Sequence, residues 1–153
     1  MKFLKQNYFK YGLVMVGVTI FCLLLMEITG DNNSFEGKPT VQMFFTMIAP
    51  FVVWFLGIGA KKKEQKNKLT YKEGLIEGSK ISFVYGLISP FVFMVYYIFI
   101  NPEILSYVRT VYRLTGSSNF VVIGTDMLVQ FGSAIVFGII YAAIISLFLR
   151  SRS

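Results

Sequence analysis

Apolar residues gather in four long blocks, 12–29, 41–60, 81–100 and 128–149. The first carries one charge, Glu27, near its end, and the other three carry none. Each approaches the roughly 20 residues that cross about 30 Å of hydrocarbon as a helix. In lipid every backbone polar group has to be satisfied within the spanning unit, so each block predicts a helix. The strands of a β-barrel, the other spanning form, alternate in polarity over about ten residues, and these blocks do not alternate.

The segments between the blocks carry their own signals. Thr70-Tyr71-Lys72-Glu73 has the spacing of a capping box, so the third helix should begin near Tyr71, ahead of the membrane core. Asn101-Pro102-Glu103 should end that helix and open another: Asn suits an N-cap, Pro the first helical position, and Glu the positive helix end. Beyond it Ile104, Leu105, Val108, Val111 and Tyr112 recur at helical spacing, opposite Ser106, Arg109, Thr110 and Arg113. This pattern predicts an amphipathic helix over about 103–115, lying on the outer membrane surface. Gly116-Ser117-Ser118 breaks it. The apolar patch 120–123 reads either as an interfacial dip or as an early start of the fourth helix, whose expected cap is Thr125 or Asp126. The expected fold is one membrane domain, all-α, with four transmembrane helices over about 12–29, 41–60, 71–100 and 126–149 and the short outer helix between the third and fourth.

Composition supports this class. Hydrophobic residues make up 55% of the chain and charged ones 15%, against about 25% charged in a soluble domain; mean hydropathy is +0.62. There is no histidine, which excludes Ser-His-Asp triads, Cys-His dyads and His-ligated zinc, and the single cysteine excludes an internal disulfide. The first block follows Lys2, Lys5 and Lys10 in the manner of a signal peptide, but Met26, Glu27 and Ile28 stand where small residues would mark cleavage, so it reads as a retained helix.

Charge sets the expected threading. Twelve of the fifteen basic residues fall in the N-terminus, the 61–80 segment and the tail; the other side holds Lys38, Arg109 and Arg113. By the positive-inside rule both termini and 61–80 should be cytoplasmic, with 31–40 and 101–127 outside. The cluster Lys61, Lys62, Lys63, Lys66 and Lys68 follows a spanning helix directly, so it reads as an orientation signal that meets anionic headgroups. It lacks the aromatic interleaving of a nucleic-acid binder, and no nucleic-acid partner is expected.

Two rows of small residues stand out. Gly74, Gly78, Ser82 and Gly86 recur at every fourth position of the third helix, and Ala134, Gly138, Ala142 and Ser146 do so in the fourth. Association in lipid depends on close backbone approach, which small residues permit. The rows should therefore pack on each other, or on a second copy of the chain. Pro50 and Pro90, inside the second and third helices, favour kinks.

An ionisable residue in a span is a functional candidate, which singles out Glu27 and Asp126. Glu27 lies about 25 Å beyond Lys10 along a helix and Asp126 lies at the mouth of the fourth, so both should sit in the outer interface, solvated, with Arg109 or Arg113 as partners. Cys22, among apolar neighbours, should be inert. Trp54, Tyr96 and Tyr97 read as packing or interface aromatics. The methionines do not cluster, and neither a phosphate loop nor a dinucleotide fingerprint is present. No metal, cofactor or catalytic residue is expected.

Lys10-Tyr11-Gly12-Leu13, the stretch Leu69-Thr70-Tyr71-Lys72-Glu73-Gly74-Leu75 with Gly78, and Tyr96-Tyr97-Ile98-Phe99-Ile100-Asn101-Pro102-Glu103 together carry a resemblance over nearly the whole chain. It resembles the small four-helix inner-membrane proteins of a domain-of-unknown-function family abundant in Bacteroidota. The resemblance implies a bacterial cytoplasmic (inner) membrane and brings neither an activity nor site residues. The segment after Asn101-Pro102 departs from that pattern, being shorter and less charged. The expected function is non-enzymatic, through contacts with the lipid bilayer, a membrane-protein partner or a second copy. A small oligomeric transporter or channel is the alternative, and an intramembrane enzyme lacks a nucleophile and base at membrane depth.

Overall fold

The computed structural model describes residues 6–29 and 47–151. Its helices are α1 (Asn7–Thr29), α2 (Ala49–Glu64), α3 (Tyr71–Val95), continued by a π-helical turn (Tyr96–Ile100), α4 (Ile104–Val111) and α5 (Asn119–Leu149). Among the described residues three helical stretches are long and apolar enough to cross a membrane: Asn7–Ile28, Tyr71–Ile100 and Asn119–Leu149. The expected second span, 41–60, lies partly outside the described residues, as do the 31–40 loop and Lys2, Lys5, Lys38 and Arg152. What is described of the second span is the 16-residue α2, which ends in Lys61, Lys62 and Lys63, where positive charge complements the helix dipole. Pro50 falls in the first turn of α2, behind a short π-helical turn at 47–48.

The seam between α3 and α5 organises the bundle. The two helices run antiparallel, with Gly74 against Ser146, Gly78 against Ala142, Ser82 against Gly138, and Gly86 against Ala134. A methyl group added at Gly74, Gly78 or Gly138 would collide with the facing helix, so glycine sets the interhelical distance. On the other flank of α3, α1 runs parallel to it, with Gly12 against Val84. α2 covers the groove between these helices: Ile58 reaches Gly74 and Gly78, and Trp54 reaches Gly138. The core of this half is Met15, Val53, Trp54, Ile58, Leu69, Ile81, Ala142 and Ile145.

Chain reversals gather the basic residues at one end. Lys66 and Asn67 adopt positive φ (51° and 64°), and the Asn67 amide donates to the Lys62 carbonyl at 2.9 Å. Buried Leu69 anchors the turn, and Thr70 caps α3. Its backbone N–H donates to Glu73 Oε2 at 2.9 Å while its hydroxyl accepts from the Glu73 amide at 3.3 Å, the capping box expected from the sequence. The Ser151 amide donates to the Leu69 carbonyl at 2.8 Å, which ties the end of α5 to the same turn.

The opposite end departs from the sequence expectations. α5 begins at Asn119, after an extended Ser118, about two turns before the expected cap. The patch 120–123 is therefore helix, and Asp126 is an interior helical residue rather than a terminus. The outer helix is shorter, Ile104–Val111. Its apolar face (Ile104, Leu105, Val108) packs on Tyr96, Tyr97 and Val122 of the bundle, not on a lipid surface.

Candidate functional site

Two carboxylates sit at this end, each held by a tyrosine from the same π-helical turn. An α-helix turns 100° per residue and separates consecutive side chains. Here the wider π turn, of a kind that recurs at functional sites, buries both Tyr96 and Tyr97, whose ring centres lie 6.2 Å apart. The Tyr97 hydroxyl donates to Asp126 Oδ2 at 2.9 Å, and the Tyr112 hydroxyl donates to Oδ1 at 2.8 Å. The Tyr96 hydroxyl donates to Glu27 Oε2 at 2.7 Å, with the Asn101 side-chain amide 3.2 Å from the same oxygen. Tyr112, beyond the spanning segments, has its phenol pushed well above the usual range, first by burial and then by the Asp126 carboxylate.

This geometry corrects the placement expected for Asp126. The residue is 3% exposed rather than solvated, because the early start of α5 turns it inward. Glu27 remains exposed, consistent with an interfacial depth. Of the arginines expected as partners, Arg109 donates to Asn119 at 2.7 Å, and Arg113 stands exposed at a positive φ of 55°. Asn101 spends its side chain on Glu27 instead of capping α4, for which no side-chain cap bond forms. The site residues missed at the sequence level are Tyr96, Tyr97, Tyr112 and Asn101. Their only signal was that a Tyr-Tyr pair, an Asn and two acids share one end of the molecule.

Asp126 also opens onto a cleft of about 590 Å³. All five helices line it, α2 through Pro50 and Trp54 and α4 through Ile104, Tyr107, Val108 and Val111. α1 contributes Met15, Thr19 and Met26; α3 contributes Tyr85, Phe93 and Tyr97; α5 contributes Asp126, Gln130 and Phe137. The wall is mostly apolar, and its polar groups are partly engaged: Thr19 bonds the Tyr85 hydroxyl at 3.1 Å. Trp54 closes the inner end, its indole N–H donating to Ser82 at 3.2 Å. Cys22 lines the cleft as a free, buried thiol. Among the described residues no three of His, Cys, Asp and Glu converge as metal ligands.

The remaining sequence candidates lie elsewhere. Gly74, Gly78, Ser82, Gly86, Ala134, Gly138, Ala142 and Ser146 form the α3–α5 seam, and Ala134 and Gly138 also touch the cleft. Lys61, Lys62, Lys63, Lys66 and Lys68 lie at the far end, on α2 and the turn after it. Lys61 pairs with Glu64 at 3.4 Å, an exposed contact of small energetic weight.

A family model described as "Protein of unknown function (DUF4199)" matches residues 10–151, so the chain belongs to that family. Comparison with curated proteins and with solved structures returned no match.

Proposed function

We propose that this member of the DUF4199 family is a non-enzymatic, multi-pass membrane protein that works through contacts with lipid or with a partner protein. It would lie in a bacterial cytoplasmic membrane with the lysine-rich end inside. One observation carries the reading. Large apolar side chains face outward along the spanning helices, among them Phe21, Phe83, Phe91 and Phe148, while basic residues collect in the last turn of α2, in the turn after it and just past the end of α5. That division suits a bundle bathed in hydrocarbon whose polar contacts are made at one membrane surface. Each lysine near an anionic surface adds about 1 kcal/mol of attraction.

The test is retention of anionic phospholipid and of partner proteins through mild-detergent purification, read by native mass spectrometry. Changing Lys61, Lys62 and Lys63 together to Gln should lower anionic-lipid affinity about a hundredfold, or release a stoichiometric partner, with the fold intact. Unchanged retention of both would refute the contact reading. A second reading, a small oligomeric transporter or channel, is favoured by buried Asp126 on an intramembrane cleft; loss of flux in liposomes on Asp126→Asn would support it.

A further inference from the structure

We propose that the cleft lined by α1 to α5 binds a single-chain amphiphile with a primary ammonium head, the head on Asp126 and the chain running toward Trp54. This goes beyond the contact reading and does not depend on it.

Asp126 is 3% exposed and lines the cleft. Its two oxygens each accept one tyrosine hydroxyl. A carboxylate offers about four acceptor sites, so roughly half remain for a ligand N–H. Among the described residues no Lys or Arg reaches it. An ammonium is the complementary group: it supplies the missing positive charge, and its several N–H donors suit the unused acceptor sites. Tyr97, Tyr107 and Tyr112 also line this end.

The remainder of the cleft fixes the class of tail. From Asp126 to Phe137 along α5 is about 16 Å at 1.5 Å per residue, walled by Phe93, Tyr85 and Met15 and ending at Trp54. The volume of about 590 Å³ falls within the roughly 300–1,000 Å³ of small-ligand sites, which suits one chain rather than the two of a phospholipid.

Trp54 is the only tryptophan in the protein, so its fluorescence reports on the inner end of the cleft. The probe is a long-chain primary alkylamine brominated at its terminal carbon, added to the full-length protein in neutral phosphatidylcholine nanodiscs. The expected result is saturable quenching by the amine at concentrations at least about tenfold below those needed for the alkyl sulfate of the same length. Asp126→Asn should erase that preference. The protein's net charge of +7 works against this outcome, since it attracts the sulfate. Equal quenching by amine and sulfate in the unaltered protein overturns the proposal, and this arm needs no variant to fold. So does a preference that survives Asp126→Asn. Quenching by phosphatidylethanolamine with brominated acyl chains, as strong as that by the amine, overturns the single-chain assignment.

Discussion

At the lysine-rich end α3 and α5 meet through glycine, alanine and serine; at the other end they meet through Tyr97 and Asp126. Near Gly78 and Gly138 no room exists for even one added methyl group, whereas at Gly86 the added carbon would come no closer to Ala134 than 3.3 Å. Beyond Gly86 the small residues give way to Pro90 and the aromatic turn, and side chains bridge a wider gap. The difference teaches how a helix pair can be tightly joined and still hold a cleft. Where contact is direct, close backbone approach between small residues joins the helices. Where the helices part, hydrogen bonds between phenols and a carboxylate take over, and they leave space beside them.

The most damaging way to break this contrast is to wedge the tight half. Gly138→Leu places four carbons where Ser82 and Trp54 already stand. It should cost about 3 kcal/mol or more, above the usual range for overpacking because two backbones have to separate. Thermal unfolding in detergent, followed by circular dichroism, measures it, and an unshifted midpoint would show that the seam is not rigid. At the aromatic end, Asp126→Ala leaves two phenols, buried Tyr97 and half-buried Tyr112, without their acceptor, at about 2 kcal/mol for the pair. Asp126→Asn keeps one acceptor oxygen and should cost less; a greater loss than for Ala would contradict the hydrogen-bond account. The gradient itself is tested by the smallest change. Gly78→Ala should destabilise by about 1 to 2 kcal/mol, while Gly86→Ala should stay within about 0.5 kcal/mol because the gain in helix propensity offsets a mild contact. Equal effects at the two sites would mean that the seam does not widen.

The same contrast marks what the sequence conveys. Spanning stretches are legible because hydrocarbon thickness imposes a length on them, and the Thr70–Glu73 cap is legible because its partners are local. The four-residue period of small residues is visible too, but whether it faces a neighbouring helix or a second copy is not encoded in the period. The aromatic end is less legible. Thr125 and Asp126 look like a helix start, and only tertiary structure shows that α5 already begins at Asn119. That displacement carries Asp126 from the solvated interface into the interior. The amphipathic α4 illustrates the same limit: its apolar stripe specifies that something covers it, and lipid and Val122 satisfy the stripe equally.

The bond from Ser151 to Leu69 has a consequence for experiments on sidedness. It fixes the end of α5 to the turn before α3, while Lys80 on α3 sits 5.4 Å from the ring of Tyr8 on α1. Three questions usually asked separately, where each of these segments emerges, collapse into one binary unknown. A membrane-impermeant reagent directed at a cysteine placed at Lys68 answers for all of them, and one placed at Ser106 must give the opposite answer. Labelling of both from the same side would be incompatible with the bundle itself, whichever way it is inserted.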